Sequence, residues 1–206
     1  MPVYKLSYFD IRGLAETTRK LFALANQEFE DNRVPREQWA DLKPKAPFGQ
    51  MPYLEVDGKL LAQSKAINRY LAKKFGFAGK DDWESAQIDA WVDQLNDFNT
   101  ELRPYFIVVA GYGEGDKDKL YKEVVEPARD KIFPLIVKQL KANGSGFLVG
   151  SKVSWLDVTL SCHIETFLQF VPDYLDKYPE VTASFKKVQE IPEIKAWIEK
   201  RPESKY

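Results

Sequence analysis

The spacing of apolar residues changes period partway along the chain. Val3 to Phe9 is aromatic and β-branched and is closed by the turn-prone stretch Asp10 to Gly13, which predicts a strand. Leu14, Thr18, Leu21, Phe22 and Ala25 then recur at helical spacing up to Asn26. Gln27 to Val34 alternates and reads as a second strand; a helix separates it from the first, so the pairing is parallel and the unit is βαβ. Pro52 to Val56 and Lys59 to Ala62 flank Asp57-Gly58, a strong signal for a two-residue hairpin turn. Ser64 is expected to cap a helix through Ile67, Tyr70, Leu71 and Phe75. With a short helix near Glu37 to Leu42, the order is β-α-β, helix, β-β-α.

Gly76 to Asp82 reads as a linker, and after it no segment reads as strand. Trp83 to Ala110 carries Ile88, Trp91, Val92, Leu95, Phe98, Leu102 and Phe106 on one stripe, a long amphipathic helix that Pro104 must kink or end. Asp116 to Lys141 is a second helix with Pro127 and Pro134 inside it, Ser154 to Phe170 a third, and two shorter ones reach Trp197. Ser154-Trp155-Leu156-Asp157 is a capping box with an acid in its fourth place, and Val153 and Val158 are spaced as its hydrophobic staple. The domains expected are 1–76, mixed α/β; a linker, 77–82; and an all-helical domain, 83–206.

Charge narrows the function classes. The 30 basic and 31 acidic side chains nearly cancel and no Lys/Arg run occurs, so neither a nucleic-acid footprint nor a polybasic membrane anchor is expected. No run approaches the ~20 apolar residues of a membrane span, and the first residues lack the charged-then-apolar order of a secretion signal. The expectation is a cytoplasmic protein with no membrane and no nucleic-acid partner. The single cysteine, Cys162, forms neither an internal disulfide nor a Cys-x-x-Cys pair and is expected to be a buried structural residue. Its neighbour His163 points ~100° away on a helix, so the two make no catalytic pair, and one His builds no metal site. Asn143-Gly144-Ser145 is read as a turn and not as a glycosylation site.

Three segments carry a resemblance: Tyr4 to Glu16 (YKLSYFDIRGLAE), Pro47 to Gly58 (PFGQMPYLEVDG) and Gln63 to Leu71 (QSKAINRYL). They resemble the first strand with its catalytic turn, and the two glutathione-binding segments, of the cytosolic glutathione transferases. The capping box falls where that family has its folding box. The tail, Ile191 to Tyr206 (IPEIKAWIEKRPESKY), is similar to the sigma class, which includes prostaglandin D synthases and many invertebrate transferases. The likeness runs end to end. It implies an α/β thioredoxin-like N-terminal domain joined to an all-α C-terminal domain, glutathione as co-substrate, a homodimer, and transfer of glutathione to hydrophobic electrophiles.

The chemistry needs a thiolate. A free thiol has a pKa of ~8.5, and only its ionised form is a good nucleophile. A hydrogen-bond donor at the sulfur favours the charged form. A tyrosine hydroxyl donates, stays neutral near pH 7 and sits on a rigid ring. Tyr8 stands at the end of the first strand, beside the loop that starts a helix, a ligand-facing place in an α/β sheet. The resemblance makes Tyr8 the catalytic residue. It also implies a cis-prolyl turn at Met51-Pro52, whose backbone edge pairs with the cysteinyl part of glutathione. Gln63 and Ser64 at a helix start suit the γ-glutamyl carboxylate. Trp39 and Lys43 are assigned to the glycyl carboxylate, with the Gln50 amide at the same wall. Asp89, Asp93 and Asp97 recur every four residues along one helix face. The resemblance places that face at a dimer interface, with Asp97 reaching the ammonium of the partner subunit's glutathione, and Phe48 as an apolar anchor across it or buried in its own subunit. In prostaglandin D synthases an acidic cluster at this place also binds a divalent cation. Here Asn96 removes one carboxylate, and no metal is expected.

The electrophile is expected between the Tyr8 turn and the long helices, with Leu14, Tyr105, Val109 and Tyr112 as lining candidates. Prostaglandin D synthases carry arginine where this chain has Leu14 and tryptophan where it has Pro104. A general detoxifying transferase, acting on aryl halides, alkenals or lipid hydroperoxides, is therefore favoured. Prostaglandin isomerisation and a non-catalytic carrier of haem or apolar ligands are the alternatives.

Overall fold

Four short strands set the frame: β1 (Tyr4–Phe9), β2 (Glu30–Val34), β3 (Tyr53–Val56) and β4 (Lys59–Ala62), hydrogen-bonded in the order β2-β1-β3-β4. The computed structural model describes residues 2–204 and 206; Met1 and Lys205, the first residue of the N-terminal stretch and one residue of the tail, lie outside the described residues. β1 runs parallel to β2 and antiparallel to β3, and β3 antiparallel to β4. The parallel pair is the one the βαβ argument requires, and Asp57-Gly58 make the hairpin turn with both φ positive.

Helices α1 (Glu16–Leu24) and α3 (Ser64–Phe75) pack on each other beside the sheet, with Leu6, Leu21, Phe22, Leu54, Ile67 and Leu71 completely buried. Between β2 and β3 lies α2 (Trp39–Leu42), flanked by short 3-10 turns. Ser64 is the first helical residue and not the cap; Gln63 holds the cap position with φ 71°. The chain therefore bends one residue earlier than expected, because a left-handed residue makes the turn from β4 into α3.

The chain divides into two compact units, Met1–Ala78 with Gln189–Tyr206, and Gly79–Val188. This division by packing differs from the chain-order expectation of 1–76 and 83–206. The cause is α10 (Pro192–Lys200), which packs on α1. Glu16, 3% exposed, accepts from the Trp197 indole N–H at 2.9 Å and from Arg201 at 2.5 Å. A buried carboxylate needs such donors, and the last helix supplies them.

In the second unit, the expected long helix 83–110 is two helices, α4 (Asp82–Glu101) and α5 (Arg103–Val109), with Pro104 in the first turn of α5. Pro104 has no amide to give, so it starts a helix more easily than it continues one. The expected helix 116–141 is α6 (Lys117–Leu120), a π-helical turn over Tyr121–Val125, and α7 (Glu126–Asn143). Pro127, near the start of α7, cannot make the i→i−4 bond, and the wider turn absorbs that loss. Pro134 stays inside α7. α8 (Trp155–Leu168) and α9 (Pro179–Gln189) complete the unit. Asn143 ends α7 in the turn expected there, donating to Ser145 Oγ at 2.7 Å and to the carbonyls of Phe147 and Gly150 at 2.8 and 2.7 Å.

Cys162 is half-buried, not buried as expected, because it sits on the flank of α8. Its neighbour His163 faces inward, with Nδ1 2.7 Å from Asn99 Oδ1 and Nε2 2.9 Å from the Tyr174 hydroxyl. Burial pushes the imidazole pKa down to about 3, so His163 is a neutral core residue.

The capping box at the head of α8 is closed. Asp157, 2% exposed, accepts from the Ser154 amide at 2.9 Å, the Ser154 hydroxyl at 2.7 Å and the Leu148 amide at 2.9 Å. Burial raises its pKa, and these donors oppose the rise. Asp157→Ala leaves buried amides unpaired at ~1–3 kcal/mol each. It is expected to lower stability by about 2–5 kcal/mol, read as a lower urea midpoint with unchanged slope. A loss below ~0.5 kcal/mol, the size of an ordinary surface substitution, would show that the box contributes little.

Candidate functional site

The strand registers bring three sequence-distant segments to one end of the sheet. Ser7 pairs with Tyr53 across β1 and β3, and Tyr53 with Ala62 across β3 and β4. Continuing each antiparallel ladder by one position sets Tyr8, Pro52 and Gln63 in a row at the strand ends. The Met51–Pro52 bond is cis and Pro52 is buried. Gln63 Nε2 donates to Gln50 Oε1 at 3.3 Å, which ties the segment before β3 to the start of α3. Gln63, an exposed non-glycine residue at φ 71°, adopts a backbone state that costs of order 1–3 kcal/mol and persists at ligand sites.

Tyr8 is 7% exposed and is wrapped by the turn that follows its own strand. The Leu14 amide donates to the Tyr8 hydroxyl oxygen at 3.3 Å. Gly13 has φ 40°, and a Cβ there would stand 2.7 Å from that same oxygen. Only glycine lets the backbone lie so close to the phenol. Because the amide donates into the oxygen, it occupies a lone pair and not the hydroxyl proton. It also polarises the O–H, which makes the hydroxyl a better donor.

The flanking wall is built from β1 and α2. The Phe9 ring meets the Trp39 ring edge-on at 5.9 Å between centroids, and Trp39 is half-buried. Lys43 is exposed, and a Cβ on Gly49 would meet its side chain at 3.7 Å, so Lys43 lies along the loop that leads to Gln50. Phe48 is 79% exposed with φ 55°, so it does not bury in its own subunit. Tyr8, Trp39, Lys43, Gln50, Met51, Pro52, Gln63 and Ser64 thus all belong to the unit that holds the sheet.

Asp93 and Asp97 are exposed on α4 of the other unit, and among the described residues no group of His, Cys, Asp or Glu is arranged to hold a metal ion. Of the electrophile candidates, Leu14 is 61% exposed and lies in the sheet unit, while Tyr105, Val109 and Tyr112 lie in the helical unit. Tyr112 is 45% exposed, Val109 is half-buried, and Tyr105 is 3% exposed, its ring set between those of Tyr121 and Phe167. Sequence reasoning missed Gly13 and the Leu14 backbone as partners of Tyr8. The signal available was a glycine closing the turn immediately after the strand.

Two family models match most of the chain: the glutathione S-transferase N-terminal domain at residues 4–73 and its C-terminal domain at residues 97–201. Glutathione S-transferase 1 of Ascaris suum is 51% identical over 206 residues, covering the whole of both chains. A monomeric glutathione S-transferase from the hookworm Necator americanus is 48% identical with a TM-score of 0.97, over 99% of this chain and 100% of that one. A Nu-class transferase from Haemonchus contortus is 48% identical with a TM-score of 0.94, over the whole of both chains. A prostaglandin synthase of Nilaparvata lugens is more distant, at 41% identity and a TM-score of 0.87, over 98% of this chain and 100% of that one. No described helix is long and apolar enough to cross a membrane.

Gly13→Ala puts a methyl group into the Tyr8 hydroxyl at a backbone angle that L residues avoid. Misplacing a reacting group by about 1 Å costs up to ~100-fold. The expected result is a loss of glutathione-conjugating activity of about tenfold or more in protein that still folds. Wild-type turnover in Gly13→Ala would show that the close approach is not needed.

Proposed function

The chain belongs to the glutathione S-transferase family, and on that premise we propose that the Tyr8 hydroxyl holds the glutathione thiol as a thiolate for attack on a hydrophobic electrophile. The observation that carries this reading is the Leu14 amide donating into the Tyr8 oxygen at 3.3 Å. It fixes the phenol at the strand ends while using a lone pair of the oxygen and not its proton, an orientation that suits a phenol donating to a sulfur. A sulfur anion receiving it is stabilised relative to the neutral thiol.

The rest of the tripeptide is read onto the same end of the sheet. The Met51 backbone beside cis Pro52 takes the cysteinyl part, as an added strand would. Gln63 and Ser64 take the γ-glutamyl carboxylate at the start of α3, where amides face outward and the helix dipole favours an anion. Trp39, Lys43 and Gln50 take the glycyl carboxylate. Asp97 of the partner subunit takes the ammonium, which requires a homodimer. Support for the dimer comes from the exposed ring of Phe48, 79% accessible, and from the exposed Asp97. The Necator relative is monomeric, so the mass of this protein in solution tests the dimer directly.

Leu14, Tyr105, Val109 and Tyr112 are proposed to meet the electrophile. Leu14 and Tyr112 offer exposed apolar surface for this in their respective units. Aryl halides, alkenals and lipid hydroperoxides suit such surface, with detoxification in the cytoplasm as the role. The tail resembles the sigma class, and the nematode relatives, one of them Nu-class, support a place among the nematode transferases. Prostaglandin isomerisation is the second reading, motivated by the Nilaparvata neighbour. Leu14 and Pro104 count against it, because prostaglandin D synthases carry arginine and tryptophan there. A carrier of haem or apolar ligands is the reading that remains if no turnover is found.

Conjugation of glutathione to an aryl halide, for wild type and Tyr8→Phe across roughly pH 6 to 9, tests the proposal. Each pKa unit lost is ~1.4 kcal/mol of thiolate stabilisation, or tenfold in thiolate fraction below the pKa. Tyr8→Phe is expected to lose about ten- to a hundredfold near neutral pH, with the activity profile shifted upward. Equal rates and profiles in the two proteins remove Tyr8 from the mechanism. Prostaglandin D2 as the main product of prostaglandin H2 would instead favour the second reading.

A further inference from the structure

The turn that wraps Tyr8 is held from outside itself, on both of its polar edges. On the carbonyl edge, Arg19 Nη1 donates to Ile11 O at 2.7 Å and to Arg12 O at 3.4 Å. Arg19 is completely buried, and its Nε is anchored to Asp31 Oδ1 at 3.0 Å. On the amide edge, the Arg12 N–H is shared between a main-chain oxygen of Tyr206 at 3.0 Å and the Ser204 hydroxyl oxygen at 3.2 Å. The Ser204 hydroxyl in turn donates to the same Tyr206 oxygen at 2.6 Å.

These contacts close a ring of chain. Ser204 is half-buried and Tyr206 is 9% exposed, so the two acceptors are partly shielded from water. The approach to them is fixed by α10, whose Trp197 and the following Arg201 both bond to Glu16, two residues beyond Leu14. Arg12 directly precedes Gly13 and Leu14, the two residues that meet the Tyr8 hydroxyl oxygen. A poorly hydrated amide without an acceptor turns toward one, because leaving it unpaired costs as much as a lost hydrogen bond. Rotating the peptide before Arg12 moves Gly13 and the Leu14 amide, and with them the direction in which the phenol O–H points.

We propose that Ser204 and Tyr206 are positioning residues for Tyr8, acting through the Arg12 amide and the Gly13–Leu14 backbone. The inference rests on the reading of Tyr8 as the group that holds the thiolate. It assigns the residues after α10 a part in thiol activation: by fixing the turn, they set how well the hydroxyl is aimed at the sulfur.

The test is a cycle between the tail and Tyr8. Conjugation rates and their pH profiles are measured for wild type, for a chain ending at residue 203, for Ser204→Ala and for Ser204→Thr, each with Tyr8 and with Tyr8→Phe, and thermal unfolding is followed in parallel. With Tyr8 present, the shortened chain is expected to lose about two- to tenfold in kcat, the range of one net hydrogen bond, and its profile to shift to higher pH. Ser204→Ala shows the same changes to a smaller extent, and Ser204→Thr, which keeps the hydroxyl, stays near wild type. With Tyr8→Phe already in place, shortening the chain costs no further rate and leaves the pH profile where it is. An unchanged rate and profile in the shortened protein overturns the inference, and so does an equal fold-loss in both backgrounds, which would mark general loosening. If the shortened chain does not fold, the Ser204 pair decides, since Ala and Thr behaving alike overturns it. If Tyr8→Phe alone matches wild type, the reading of Tyr8 has failed first and the inference falls with it, an outcome distinct from a tail without effect.

Discussion

The Leu14 amide donates into the Tyr8 oxygen, and the proposed activation of a thiol by this phenol depends on that contact, because it sets the direction of the hydroxyl. The rest of the sheet unit can be understood as what makes this single bond possible. The phenol must be at the end of a strand, which β1 provides. The backbone must then double back against the ring, which Gly13 permits at φ 40°. The turn is hydrogen-bonded by Arg19 on one edge and by residues after α10 on the other, the contacts proposed to keep it in place. Hydrogen bonds of this kind are each modest in net terms, about 1 kcal/mol.

Holding the turn has required burying charge. Glu16 is 3% exposed, while Arg19 and Lys20 are completely buried, an arrangement that is unfavourable unless every charge finds partners. Glu16 is answered by Trp197, Arg201 and Arg19, and Arg19 by Asp31 and the Ile11 carbonyl. The partners come from β2, from the turn itself and from the last helix, so the network fastens together segments that are far apart in sequence. This explains why Gln189–Tyr206 belongs to the sheet unit although it follows the helical segments in the chain.

The strands were legible in the sequence because alternation and the Asp57-Gly58 turn are local signals, and the βαβ order fixed the parallel pair. The prolines were legible as interruptions, but not in their outcome: Pro104 starts a new helix and Pro127 follows a π-helical turn, and that choice is made by neighbouring backbone. Residue type points to Ser64 as the cap, yet Gln63 takes that position because the exit from β4 needs a left-handed residue, which propensity alone does not reveal. The apolar context of Cys162 points inward, but one step along α8 turns a residue by about 100°, and His163 takes the inward position. The segments read by resemblance as glutathione-binding stand out in the sequence as runs of residues, and the strand registers bring them to one end of the sheet. The clamps on the Tyr8 turn were not, since Arg19, Ser204 and Tyr206 are ordinary residue types whose role arises only when the chain folds back on itself.

The measurement that bears most directly on this account is a titration of the glutathione thiol bound to the wild-type protein, followed by thiolate absorbance. A thiol aimed at by an oriented phenol is expected to ionise at least about one unit below its free value of ~8.5. A bound thiol that titrates at the free value would contradict the claim that this fold is organised around a directed Tyr8 hydroxyl.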